Sequence, residues 1–376
     1  MPASVVIAGG GLMGLSAAFH IRRADPSVRV TVLERFHAGA AASGASAAGV
    51  RAMGRDPAER ALALHSLARW PDLDRELEGQ TGYRRGGGLR VALDEGTCQA
   101  APAWVAEQRA VGVPVQVVDA AAARRLAPGV SPRCLGGVHC PIDGQADAMA
   151  TVRTFLAAAR RHGAVVHEGV GATGVVTEGG RVVGLTRSDA GSEPCDVAII
   201  AAGIWTAPLL TGLGVKSGLY TRPLQMLLTE PAPPSLAPVI GAFDRALSFK
   251  QLDDGRYLIG GGWPGRVLDE AANAWELLDE SVQGSLAVAR EVYPPVRDSA
   301  LARGWLGLEA FMPDGLPIIG PVPGVEGALV AAGFSGHGFA LSPSVGDVLA
   351  RLALGADSTA HLWEGLRADR PGAALA

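Results

Sequence analysis

Ser4-Val5-Val6-Ile7-Ala8-Gly9-Gly10-Gly11-Leu12-Met13-Gly14 is the stretch that decides the fold. Its opening is apolar and β-branched, as a buried strand requires. Gly9 to Gly14 then matches G-x-G-x-x-G, and Leu15 to Arg23 continues at helical spacing. Val28 to Leu33 (VRVTVL) is a second strand, ending at Glu34, twenty residues beyond Gly14. Strand, glycine turn, helix, strand and acid, in that order, make one dinucleotide-binding βαβ unit. Gly9 permits the tight turn, Gly11 lets the backbone approach a pyrophosphate, and Gly14 lets helix and strand pack closely. The helix start at Leu12 and Met13 offers unpaired N–H groups and a positive dipole end to phosphates. Glu34, followed by Arg35, is placed to accept hydrogen bonds from a ribose diol. The fingerprint alone does not separate FAD from NAD.

Working outward, Ala42-Ser43-Gly44-Ala45-Ser46-Ala47-Ala48-Gly49-Val50-Arg51 is a run of small residues directly after the acid. Ser43, Gly44, Ala45, Ser46, Gly49 and Val50 would let backbone lie against a flat or phosphorylated ligand; on composition alone a flexible loop is equally open. The whole chain has 376 residues, 48% hydrophobic and 19% charged, enough for a large packed core in two domains. A net charge of −4 supplies no basic surface for nucleic acid. Mean hydropathy is +0.22, raised mostly by alanine. No apolar run reaches the roughly 18 residues of a membrane span, and the best candidate, Val197 to Trp205, is strand length. The N-terminus has no basic region before an apolar one, so a cytoplasmic location is expected. Cys98, Cys134, Cys140 and Cys195 are scattered without C-x-x-C, and Cys134, His139 and Cys140 fit no common zinc spacing, so no metal is expected.

Seven blocks carry a resemblance. They are GGGLMG with Glu34, ASGASAAGVR, CPIDGQAD (140–147), DVAIIAAG (196–203), DDGRYLIGG (253–261), MPDGLPIIGPVPGVEG (312–327) and AAGFSGHGF (331–339). Their order and spacing resemble the D-amino-acid-oxidase-like superfamily of FAD enzymes, nearly end to end. The similarity is closest to the branch with glycine oxidase, sarcosine oxidase and the β subunits of heteromeric amine dehydrogenases. The resemblance implies an α/β fold, an FAD-binding Rossmann-like domain with a second α+β substrate domain on a mainly antiparallel sheet. The FAD-binding domain is expected over 1–85, 145–215 and 305–376, and the substrate domain over 86–144 and 216–304. Further cofactor contacts are implied at Gly171, Ala202, Gly203, Trp205 and Gly307. Gly333, Gly336, His337, Gly338 and Phe339 are expected to pass beside the isoalloxazine ring, with Pro343 in the first turn of a final helix reaching about Leu354. The positive end of that helix would stabilise the anionic reduced flavin.

Local signals fill in the remaining elements. Asp56-Pro57-Ala58-Glu59 reads as a helix start, with Asp as cap, Pro at the first position and Glu at the third, running toward Glu78. Gly86–Leu93 and Pro114–Val118 read as strands and Pro102–Val111 as a helix. Asp147 caps a helix reaching about His162, and Ala172–Thr177 and Arg181–Arg187 form a hairpin across Gly179-Gly180. In the second domain, strands are expected around Leu224–Thr229, Leu247–Gln251 and Tyr257–Gly261, with a long helix from about Asp269 to Val292. The tail after Arg367 is expected to fray.

The chemistry implied is hydride transfer from the C–H beside an amine nitrogen to flavin N5, giving an imine that water hydrolyses. Substrate anchoring departs from the relatives. Glycine-oxidase-like members carry an arginine after Trp-x-Gly-Leu, where this chain has Glu309; sarcosine-oxidase-like members carry a lysine after Gly-His-Gly-Phe, where it has Ala340. Glu309 is therefore expected to face the pocket and pair with a cationic or amine group. Arg51 or Arg222 could fork onto a carboxylate. Lys250 is expected to border the flavin, where its charge would favour reaction with oxygen, with Tyr257 in the same hairpin. The expected function is FAD-dependent oxidation of an amino acid or of a secondary or substituted amine, by a homo-oligomer or within a heteromeric complex. The alternatives are a catalytic subunit that passes electrons to partner subunits, and a pyridine-nucleotide dehydrogenase, which would leave the C-terminal block without a role.

Overall fold

The computed structural model describes residues 2–356 and 358–373. Its first sheet is six-stranded, in the order Ile318–Pro321, Ala328–Ala332, Val197–Ile200, Ser4–Ala8, Arg29–Glu34 and Val165–Glu168. All neighbours run parallel except the outermost Ile318–Pro321. Ser4–Ala8 lies inside and is buried at every position, which is why its sequence is apolar without alternation. Helices Leu12–Ala24, Ala148–Arg161 and Gly338–Ala353 share one core cluster on one face. On the other face Val182 and Leu185, from the three-stranded sheet Ala172–Glu178, Arg181–Arg187 and Ser192–Pro194, pack on Val6, Ala8, Ala198 and Ile200.

The second sheet has eight strands, in the order Leu301–Phe311, Tyr220–Pro231, Arg256–Gly260, Ser248–Gln251, Val239–Ala242, Gly88–Ala92, Gly136–Cys140 and Gln116–Asp119. It is antiparallel apart from the pairing of Val239–Ala242 with Gly88–Ala92. Helix Asp279–Val292 covers one face, over Phe249, Tyr257 and Tyr293. The strand Leu301–Phe311 spans the domain boundary expected at 304/305, so Gly307 belongs to this sheet and meets the other domain across it.

Several elements begin elsewhere than expected. The helix expected from Asp269 starts at Asp279. The preceding residues form a hairpin, Arg266–Asp269 with Ala274–Glu276, because the Asp269 carboxylate accepts from the Ala271 and Ala272 N–H groups and closes a turn. The helix expected from Pro102 starts at Glu95, capped by Asp94 on Thr97 N at 2.8 Å, and takes Pro102 inside. The helix from Pro57 ends at Arg69, where Trp70-Pro71-Asp72 tightens into a 3-10 turn. The helix expected to be the final one starts at Gly338 and holds Pro343 within it, and a short helix, Ala360–Trp363, follows. Proline cannot donate to the Phe339 carbonyl, and the Ser342 hydroxyl takes that acceptor instead, at 2.9 Å. The tail is tied down as far as Ala373: Arg370 pairs with Asp314 at 2.9 Å and donates to the Leu316 and Pro317 carbonyls. Residues 374–376 of the expected frayed tail lie outside the described residues.

Candidate active site

The two sheets meet at a cleft of about 1160 Å³, part of it open to solvent. One end is built by the glycine turn and the first acid. Gly9, Gly11, Leu12, Met13, Glu34, Arg35, Ser43, Ser46, Gly171, Ala202, Gly203 and Trp205 all line it. Glu34 is buried, and its two oxygens accept from Gly10 N at 2.7 Å and Phe36 N at 2.8 Å. These bonds fix the carboxylate, and each oxygen keeps a further lone pair for a diol. Burial raises its pKa above the usual range. Ser43 Oγ accepts from Leu12 N at 3.0 Å, so one of the four orphan N–H groups of the first helix is satisfied and the rest of its N-terminus is left for a ligand. Of the other expected cofactor residues, Gly14, Gly44, Ala45, Gly49, Val50 and Gly307 stand behind the lining. A Cβ on Gly307 would sit 3.1 Å from Ala45 Cβ, and Trp305 Nε1 donates to Ala45 O at 3.0 Å, so the large sheet holds the small-residue segment in place.

The other end is lined by Gly333, Phe334, Gly336, Gly338 and Phe339 together with Leu308, Glu309 and Ala310. It therefore lies at the start of helix Gly338–Ala353, with a carboxylate opposite a helix N-terminus. Glu309 is half-buried, and its pKa is pushed up to about 7, by burial foremost, against the pull of a Gly336 N–H and the Arg222 charge. Arg222 stands directly across the strand pair from Glu309. It makes no ion pair there among the described residues; its guanidinium lies 4.9 Å over the Phe311 ring.

The remaining expected residues divide. His337 has neighbours in the cleft lining on both sides, but its ring turns toward Glu59, with Nδ1 3.4 Å from Oε1. Glu59 is 0% exposed and also lies 3.4 Å from Arg55 Nη1. Sequence reasoning placed Glu59 in a helix cap; the cap is Asp56 alone, on Ala58 N at 2.8 Å. Lys250 is 3% exposed and outside the lining. Its Nζ donates to Ala146 O at 2.9 Å, and Ala146 N in turn donates to Ala48 O, so Lys250 braces the small-residue segment from behind. Burial pulls its pKa down to about 7. Tyr257 corrects the expectation outright: it is 1% exposed, stacked on Phe249 at 5.3 Å on the far face of the sheet, with its hydroxyl on Ser235. Arg51 lies outside the cleft lining, beside Arg55, whose Nε donates to its carbonyl at 3.0 Å.

The hairpin that replaces the first part of the expected helix closes over the dinucleotide end. Three side chains tie the segment to the cleft walls: Trp205 Nε1 to Glu270 O at 3.1 Å, Arg35 Nη1 to Ala271 O at 3.2 Å, and Asn273 Nδ2 to Ala40 O at 3.1 Å. Trp205, Arg35 and Ala40 are themselves lining residues. Asn273→Ala is expected to loosen this strap by about 1 kcal/mol, one hydrogen bond, and so to raise the FAD dissociation constant roughly fivefold. Fluorescence of released FAD on dilution of the holoprotein measures it.

A doubly covered, mostly parallel sheet, a glycine turn aimed along a cleft and a second antiparallel sheet closing that cleft define a dinucleotide-binding protein of two-domain type. The model of the DAO family, FAD dependent oxidoreductase, matches residues 4–352, so the chain belongs to that family. It is an FAD-dependent oxidoreductase. It is 30% identical to hydrogen cyanide synthase subunit HcnC of Pseudomonas aeruginosa, over 93% of this chain and 91% of that protein. It is 29% identical to glycine oxidase of Pseudomonas putida, over 95% and 96%. The crystal structure of glycine oxidase from Geobacillus kaustophilus superposes with a TM-score of 0.87 at 23% identity, covering 99% of each chain. The family match, over residues 4–352, extends through the C-terminal block. No described helix is long and apolar enough to cross a membrane.

Proposed function

We propose that this protein oxidises the C–N bond of an amino acid or of a secondary or substituted amine, with Glu309 receiving the amine. The observation that carries the reading is a carboxylate with pKa about 7 in the cleft wall, across from a helix N-terminus. The cradle at Gly9–Gly14, Glu34 and Ser43 fits FAD, and when bound FAD supplies the hydride acceptor. An amine gives up hydride only as the free base. The Glu309 carboxylate pairs with the ammonium form and takes its proton, leaving a nitrogen lone pair to form the C=N bond as the C–H bond breaks. Water then hydrolyses the imine to a carbonyl compound and the released amine or ammonia. Arg222, one strand away, is free to hold a carboxylate of the same substrate.

The test is the visible spectrum of the purified protein, recorded anaerobically before and after secondary, D- and cationic amino acids are added. Bleaching of the flavin bands by one class supports the reading; bands that no amine bleaches overturn it. A second reading, supported by the relative named as a synthase subunit, is a catalytic chain that passes electrons to partner subunits. Admitting oxygen to the bleached protein separates the two. Rapid return of colour favours an oxidase; slow return, made fast by an artificial electron acceptor, favours the subunit.

A further inference from the structure

Glu59 is 0% exposed, yet among the described residues neither of its oxygens makes a hydrogen bond. Two groups face it at 3.4 Å: Arg55 Nη1, four residues upstream, and His337 Nδ1, at the cap of helix Gly338–Ala353. Nδ1 is buried, while 34% of the His337 side chain is exposed. The exposed part of the ring is therefore the edge away from Glu59, which carries Nε2. A buried carboxylate beside Nδ1 selects the tautomer with its proton there and leaves the Nε2 lone pair open to a second proton. It also stabilises the imidazolium once that proton arrives.

The charges around His337 oppose one another. Arg55 and Arg51 disfavour a proton on the ring, and Glu59 favours it. Asp143, which holds the Ala52 and Met53 amides, acts on both arginines. Arg90, on the strand Gly88–Ala92, lies within reach of Arg51 and Asp143. On the cleft side stands Glu309, whose Oε2 is 3.8 Å from the place a Gly336 Cβ would occupy. Burial foremost, with the two arginines, holds His337 below the usual imidazole range, so the ring is neutral at neutral pH. One more negative charge nearby tips the balance toward the protonated ring. The reaction supplies such a charge: a hydride delivered to bound FAD carries two electrons and one proton. Gly336 and Gly338, on either side of His337, line the end of the cleft where the isoalloxazine ring is expected.

We propose that Glu59 is a positioning residue that holds His337 as a redox-linked proton site: reduction of bound FAD draws a second proton from solvent onto Nε2, and reoxidation returns it. That proton balances the charge of the hydride without entering any bond of the substrate, and Glu59 secures it from the buried side. The site depends on FAD and not on which amine is oxidised.

The experiment measures the midpoint potential of the FAD-loaded protein against pH, with a chemical reductant, mediating dyes and no amine. For a two-electron couple, each proton taken up changes the equilibrium constant tenfold per pH unit, about 30 mV. Near pH 7 the natural protein is expected to take up about two protons, and His337→Asn and Glu59→Gln about one, so their slopes fall by about 30 mV per pH unit. Glu59→Asp is expected to recover part of the difference. Glu309→Gln, which removes the cleft carboxyl that titrates near pH 7, is expected to keep the natural slope. The ratio of flavin to protein absorbance checks that each variant retains FAD. Should Glu59→Gln lose it, with Arg55 left beside a neutral partner, His337→Asn decides alone. A slope that survives His337→Asn would overturn the proposal. So would a slope lost in Glu309→Gln, which would assign the proton to Glu309. Because no amine is added, failure here leaves the amine reading standing, and failure of that reading leaves this result standing.

Discussion

Gly14→Val is expected to yield a folded but colourless protein, with FAD affinity reduced at least a hundredfold, about 2.8 kcal/mol. Gly14 stands in the first turn of the first helix, where a Cβ would lie 2.0 Å from the Gly9 carbonyl oxygen and 3.1 Å from Ile7 Cγ2. Those neighbours are the strand Ser4–Ala8 and the turn that leaves it, so no flexible side chain can yield. Gly9 is itself held at φ +109°, where a Cβ would meet Ala201 O at 2.3 Å. The turn cannot retreat, and the helix must move away from the sheet. Its N-terminal N–H groups then leave the position from which Gly9, Gly11 and Glu34 define a pyrophosphate site. Gly49→Ala is the control. Gly49 was expected in the same cofactor set, yet it stands outside the cleft lining and no protein atom lies within 4 Å of its added Cβ, so FAD should be retained. The ratio of flavin to protein absorbance after purification, followed by titration of each apoprotein with FAD, measures both variants.

The same contrast explains which parts of the site can be read from a sequence. The glycine turn is legible because its requirements are local: a left-handed φ and a close approach within one βαβ unit leave their mark on consecutive residues. Glu34 is legible for the same reason, since the second strand delivers it to the end of the first. Facing is harder. Lys250 pairs in register with Leu258, and Tyr257 with Gln251, so one step along the hairpin separates the side that braces the small-residue segment from the core around Phe249. The hairpin was visible in the sequence; which of its residues faced the cleft was not, and Tyr257 fell on the wrong side. Glu59 and Arg90 carry still less signal. A glutamate three residues after Asp56 looks like a capping residue, and an arginine in Gly-Leu-Arg-Val-Ala looks like the wet face of a strand. Only the packing of helix Gly338–Ala353 against the helix Pro57–Arg69 brings His337 onto Glu59, and only the large sheet sets Arg90 beside Gly54. The strap over the dinucleotide end was hidden behind a helical reading of Asp269–Asn273, whose turn bonds depend on a single aspartate.

Glu309→Gln is expected to lower kcat/KM for the amine substrate at pH 8 by about a hundredfold and to remove the rising limb of its pH profile. The sign follows from which form works. Glu309 titrates near pH 7 in the folded protein. Below that it is a neutral acid that can neither pair with an ammonium group nor take its proton; above it the carboxylate does both. For the natural enzyme kcat/KM therefore rises through about pH 7. Glutamine preserves size and one acceptor but cannot accept the proton, so the limb disappears rather than shifting. Stability must move the other way. A carboxyl whose folded pKa lies above its unfolded value stabilises the fold most at low pH and loses that contribution as pH rises from the unfolded to the folded value. Below the unfolded value, at about pH 4 or lower, the natural side chain is neutral in both states, so the glutamine variant should match it in Tm; at pH 8 the variant sheds a half-buried charge and should melt higher. Arg222, across the strand, is the cation that holds the shift to its present size. Arg222→Leu should accordingly move the limb of the natural profile to higher pH. Activity lost at pH 8 together with Tm gained at the same pH is a pairing that damage to the fold cannot produce, and a glutamine variant that keeps the rising limb would remove Glu309 from the reaction.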